Sequence, residues 1–87
     1  MVDNGTAVKT RFPSRAQAID ALLARDEGFR DMCSDYTTAE EELRKWRSSS
    51  EQHRDVHITE YNELVDELAA EIDATLDRAA VVPFPKR

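Results

Sequence analysis

Two histidines, His53 and His57, stand four residues apart. On a helix this spacing puts both imidazoles on one face, as metal ligands are placed, and Glu60 or Tyr61 would add an oxygen one turn on. A metal site needs three or four ligands, and nothing nearby completes the set. The pair therefore reads as solvated histidines beside a loop. Cys33 with a histidine would make an activated thiol. Cys33 flanks an apolar helical seam, however, where a buried and inert thiol is expected, and no glycine-rich turn accompanies it to form an oxyanion hole. Glu40, Glu41 and Glu42 are consecutive, so on a helix they point in different directions and form a solvated charged face rather than an acid–base pair. Phe29, Tyr36, Trp46 and Tyr61 are the residue types that stack on nucleic-acid bases, but they recur at core spacing and read as packing residues. No catalytic, cofactor-binding or metal-ligating residue is assigned, no cofactor is expected, and the chain is not expected to be an enzyme.

The elements that carry these residues are helical. Residues 1–13 are small and polar without periodicity and read as a disordered tail. Ser14 and Gln17 after Pro13 form a capping-box pattern, and Ala16, Ile19, Leu22 and Leu23 follow at helical spacing to about Arg25. Asp26-Glu27-Gly28 reads as a break and a restart capped by Asp26. The alternative is one continuous helix through Gly28, at a cost of about 1 kcal/mol relative to alanine. Phe29, Met32, Tyr36, Ala39, Leu43 and Trp46 then alternate steps of three and four, a coiled-coil-like heptad pattern. Ser48-Ser49-Ser50 is the turn. Residues 51–57 are loop or an early helical turn, with Ser48/Glu51 and Thr59/Asn62 as competing start signals. The last helix has the seam Ile58, Tyr61, Val65, Leu68, Ile72, Thr75 and Ala79, which Leu64, Ala69 and Leu76 widen beyond what one narrow neighbour covers. Residues 81–87, with Pro83 and Pro85, read as an extended tail; a short linear motif over residues 82–87 is the alternative to disorder without function, which is the favoured reading.

Composition agrees. The 87 residues make one domain, with charged residues at 34% and hydrophobic ones at 40%, as suits exposed amphipathic helices. No proline lies between residues 14 and 82. No apolar run would span a bilayer, no secretory signal is visible, and the lone Cys33 fits a reducing compartment, so a cytoplasmic location is expected. Between residues 59 and 80 the acids Glu60, Glu63, Asp66, Glu67, Glu71, Asp73 and Asp77 face a single base, Arg78, so this segment accounts for the whole net charge of −6. Such a surface repels phosphate backbones.

In this order the chain resembles the YdcH-like family of small bacterial helical-hairpin proteins. The resemblance runs from about Ile19 to Leu76. It rests on Ile19-Asp20-Ala21-Leu22-Leu23, the acidic break before an aromatic in Asp26-Glu27-Gly28-Phe29, Tyr36, Glu40-Glu41-Glu42-Leu43, and Leu68-Ala69-Ala70-Glu71-Ile72. The chain departs from the family in having Glu27-Gly28 where a proline is common, and an acidic last helix where lysines are typical. The resemblance implies a hairpin and carries over no activity and no site residues.

The expected architecture is therefore all-α: an antiparallel hairpin over residues 14–80 with a short N-terminal helix that folds back over one end or extends as an arm. A domain this small commonly needs a staple, and self-association is the remaining route once disulfides and metal are set aside. Two hairpins would make a four-helix bundle about a twofold axis, a homodimer, through Leu64, Leu68, Ala69 and Leu76. The expected function is a non-catalytic protein–protein interaction or structural module acting as an oligomer, with neither nucleic acid nor membrane as partner. The alternatives are a nucleic-acid-associated regulator using Arg11, Arg15, Lys86 and Arg87, and a metal-binding protein using His53 and His57.

Overall fold

The computed structural model describes residues 4–80. Residues 1–3 and 81–87, and with them the tail expected at 81–87, lie outside the described residues. The described elements are all helical: α1 (Asn4–Arg11), a 3-10 turn (Pro13–Arg15), α2 (Ala16–Arg25), α3 (Glu27–Arg47) and α4 (Arg54–Ala80).

The first helix falls where disorder was expected. Residues 4–11 carry too few apolar side chains to show a period, and a helix of eight residues has no stability alone. Tertiary burial supplies the support. Val8 is fully buried in the core that α1 shares with α3, and Ala7 and Phe12 pack against that core. The helix stops where Pro13 forces it to. Phe12, at φ −125° and ψ 67°, has left the helical region, as the residue before a proline tends to do.

The capping box expected at Ser14 and Gln17 does not form. Pro13, Ser14 and Arg15 wind into the 3-10 turn, so Ser14 lies inside helical backbone rather than at an extended capping position, and α2 starts at Ala16 with no side-chain cap. The break at Asp26 is observed. This residue is extended (φ −123°, ψ 107°), its N–H closes α2 on the Leu22 carbonyl, and its carboxylate accepts from Phe29 N–H at 3.0 Å to open α3. Gly28 leaves room for this cap: a Cβ there would stand 3.3 Å from the Asp26 carboxylate oxygen.

The helices α3 and α4 form the antiparallel hairpin. Thr75 Oγ1 lies 3.6 Å from Met32 Sδ at one end, and Arg47 donates to Asn62 near the turn. The turn is organised by Ser49, whose Oγ accepts from Glu51 N–H and whose carbonyl accepts from Arg54. Neither competing start signal is used, because α4 begins at Arg54: residue 51 is irregular, residues 52–53 are turn and residues 54–57 are helix. The two helices are consequently unequal, 21 residues against 27.

The hairpin's seam is as the spacing indicated for Phe29, Tyr36, Ala39, Leu43, Val65 and Ile72, all buried. Met32, Trp46, Ile58, Tyr61, Leu68 and Thr75 are half-buried, and Ala79 is exposed. The remaining core comes from the N-terminal arm. Both α1 and α2 pack on the hairpin, with Ile19 and Leu22 buried alongside Val8. The short helix expected to start at residue 14, which is α2, therefore folds back on the hairpin rather than extending.

Candidate functional site

Charge as well as apolar burial ties the arm down. Arg11 reaches Asp66 at 3.6 Å, and Arg15 pairs with Asp73 at 3.4 Å and with Asp77 of α4. The hydrogen bond to Asp77 raises the Arg15 pKa above its ordinary value, against the opposing effect of desolvation. Within the arm Lys9 pairs with Asp20 at 2.9 Å. One flank of the acidic α4 is thus matched by bases from the same chain.

This arrangement redistributes the four residues expected to form an oligomer interface. Ala69 and Leu76 are 2% and 1% exposed. They belong to the chain's own core and are unavailable to a partner, which corrects the expectation for both. The stripe on α4 does need two neighbours, but α3 and the arm supply both. Leu64 and Leu68 remain on the other flank. They line an open groove of about 390 Å³ with Tyr61, facing Asp35, Thr38, Ala39 and Glu42 of α3. Leu64 is 39% exposed, and Val56, closer to the turn, is 56% exposed. A second hollow, lined by Glu41, Arg44, Lys45 and Ser48, carries both signs of charge and no apolar side chain.

The residues with chemical potential are placed as follows. His57 stacks on Trp46, with ring centroids 4.1 Å apart and planes at 22°, and its Nδ1 lies 3.3 Å from Glu60. His53 is exposed in the turn. Among the described residues no three His, Cys, Asp or Glu side chains gather closely enough to hold a metal ion. Cys33 is fully buried, and burial pushes its thiol up to about 11, away from the reactive thiolate. Beside it Thr37 donates to the Cys33 carbonyl at 2.8 Å. Tyr36 is buried and donates its hydroxyl to Glu40 at 2.7 Å; burial first, and the Glu40 carboxylate second, push the phenol up to about 12. Phe29 and Tyr36 are enclosed, so neither can stack on a base. No described helix is long and apolar enough to cross a membrane.

The fold and groove define a class, a helical hairpin with a basic N-terminal arm. No protein-family model matches this chain, and no curated protein or solved structure matches it significantly.

Proposed function

We propose that the protein is a non-catalytic interaction module that docks a protein partner in the groove between α3 and α4. The observation that carries this reading is the exposure of Leu64 in a groove with Leu68 and Tyr61, when among the described residues Val56 is the one other large apolar side chain left exposed. Apolar side chains gathered in a concave surface, rather than scattered singly, mark interaction sites. The enclosure of Cys33 and the separate directions of the consecutive glutamates support a role without catalysis. The resemblance to the YdcH-like family is compatible, since it rests on packing positions. A nucleic-acid role gains no support from Arg11 and Arg15, whose guanidinium groups face Asp66, Asp73 and Asp77; Lys86 and Arg87 lie outside the described residues.

A photo-crosslinking side chain placed at Leu64 tests the reading against the same group at Ala70, an exposed position on α4 away from the groove. Adducts that form at Leu64 and not at Ala70, on one contiguous segment of an identified chain, are expected. Equal adducts at both positions, or none at Leu64, would remove it.

A further inference from the structure

The hairpin already holds one basic amphipathic segment, its own arm. Between residues 4 and 25 the charged side chains are Lys9, Arg11, Arg15 and Arg25 against Asp20. The arm buries Val8, Ile19 and Leu22 and sets Arg11 and Arg15 on the acids of α4. Apolar anchors flanked by arginine are thus the chemistry that packs along one side of the hairpin, against both α3 and α4.

The opposite flank has the same character and no occupant among the described residues. At helical spacing from Leu64, Glu60, Glu67 and Glu71 stand at −4, +3 and +7, so they share its face. Asp35 and Glu42 form the facing wall on α3. The described bases nearby are few and at the ends: Lys45, which pairs with Glu42 at 3.1 Å, and Arg78, which donates to Thr75. His57 pairs with Glu60. Asp35, Glu67 and Glu71 make no ion pair with a described residue.

We propose that the groove between α3 and α4 docks a basic amphipathic helix of a partner protein, one with apolar side chains at i, i+3 or i+4, and i+7 between lysines or arginines. This rests on the reading of the groove as a docking surface. From Tyr61 to Leu68 the apolar floor runs two helical turns, about 10 Å, the span that such anchors cover. Complementary charge at the rim selects the partner and speeds its arrival. A second copy in the same groove is disfavoured, because a twofold axis would set Asp35, Glu67 and Glu71 against the same carboxylates of the other chain, and like charges across an interface are repulsive.

The probes are two labelled synthetic helical peptides with one leucine face, one carrying lysine and the other glutamate at the flanking positions. Binding to the full chain is followed by fluorescence anisotropy. The lysine peptide is expected to bind. Leu64→Ser should weaken it about tenfold, as loss of an anchor does, and the triple variant Asp35→Asn, Glu67→Gln, Glu71→Gln should weaken it and flatten its salt dependence. Glu63→Gln, about 100° around the helix from Leu64, should weaken it least. Equal binding of the glutamate peptide would overturn the basic partner while leaving the docking groove standing. Equal weakening by Glu63→Gln would show unspecific attraction to an acidic helix and overturn the proposal. If neither peptide binds and the chain self-associates through Leu64, the occupant is a second copy and the proposal fails. If neither binds and the chain is monomeric, the groove reading fails with it.

Discussion

Arg15, at the end of the 3-10 turn, pairs with Asp77 in the last turns of α4, 62 positions later in the chain. This contact and the neighbouring one to Asp73 fasten the arm over Leu76 and turn one flank of a wide apolar stripe into core. One flank of a helix that looks as if it needs a second molecule is covered by α1 and α2 of the same chain.

The arm should therefore loosen before the hairpin does. Arg15→Gln is expected to raise amide exchange in α1 and α2 while α3 and α4 keep their protection, since local opening follows the least supported element. Reversing the pair, with Arg15→Asp and Asp77→Arg together, should restore part of the protection. Uniform loss of protection over all four helices would mean that the arm and hairpin open as one unit.

The thiol of Cys33 gives a pH signature. Burial raises it from an ordinary 9.0 to about 11. The folded chain holds the proton more tightly than the unfolded one, so the contribution is complete below pH 9 and is lost as pH climbs towards about 11. Unfolding free energy should fall across this interval, and Cys33→Ala should flatten that part of the fall. A thiol reagent should react slowly in buffer and fast in denaturant. Equal rates in both would show that Cys33 is accessible in the folded chain.

The hairpin and the break were legible because they rest on local signals. Steps of three and four from Phe29 to Trp46 exposed the seam, and Asp26 before Glu27-Gly28 had the form of a cap. The arm was not legible by those means. Val8 and Phe12 are too few to show a period, and Ser14 mimics a cap within a turn that Pro13 winds into helix. What could have revealed it is long-range: Arg11 and Arg15 lie on a basic stretch, and Asp66, Asp73 and Asp77 lie on an acidic one. For the same reason the two flanks of α4 could not be told apart in the sequence. Leu64 and Leu68 are on the groove, whereas Ala69 and Leu76 sit on the flank that the arm covers.

The turn end of the hairpin has an optical reporter. His57 covers one face of Trp46. Its replacement in His57→Ala should shift Trp46 emission to longer wavelength as water reaches the indole, with far-UV circular dichroism unchanged. An unshifted spectrum would mean that the two rings do not stack in solution.

Within the arm, Ile19→Ala should cost about 2–5 kcal/mol, the range for truncating a buried isoleucine. Val8→Ala should cost less, because fewer carbon atoms are lost. Chemical denaturation measures both. Negligible effects at both positions would place α1 and α2 outside the cooperative core.

Thermal unfolding of Leu64→Asp and Leu76→Asp side by side, over a range of protein concentrations, separates a flank of α4 open to a partner from one closed by the arm. One position is exposed in the groove and the other is buried under the arm. A carboxylate at an exposed site should change stability by less than about 1 kcal/mol, whereas one forced into the core should cost more than about 3 kcal/mol. This asymmetry is expected, with a midpoint that does not move with concentration. Equal destabilisation by the two variants, with a midpoint that rises with concentration in the unmutated protein, would mean that both flanks of α4 are buried between copies of the chain, and would contradict an open flank at Leu64.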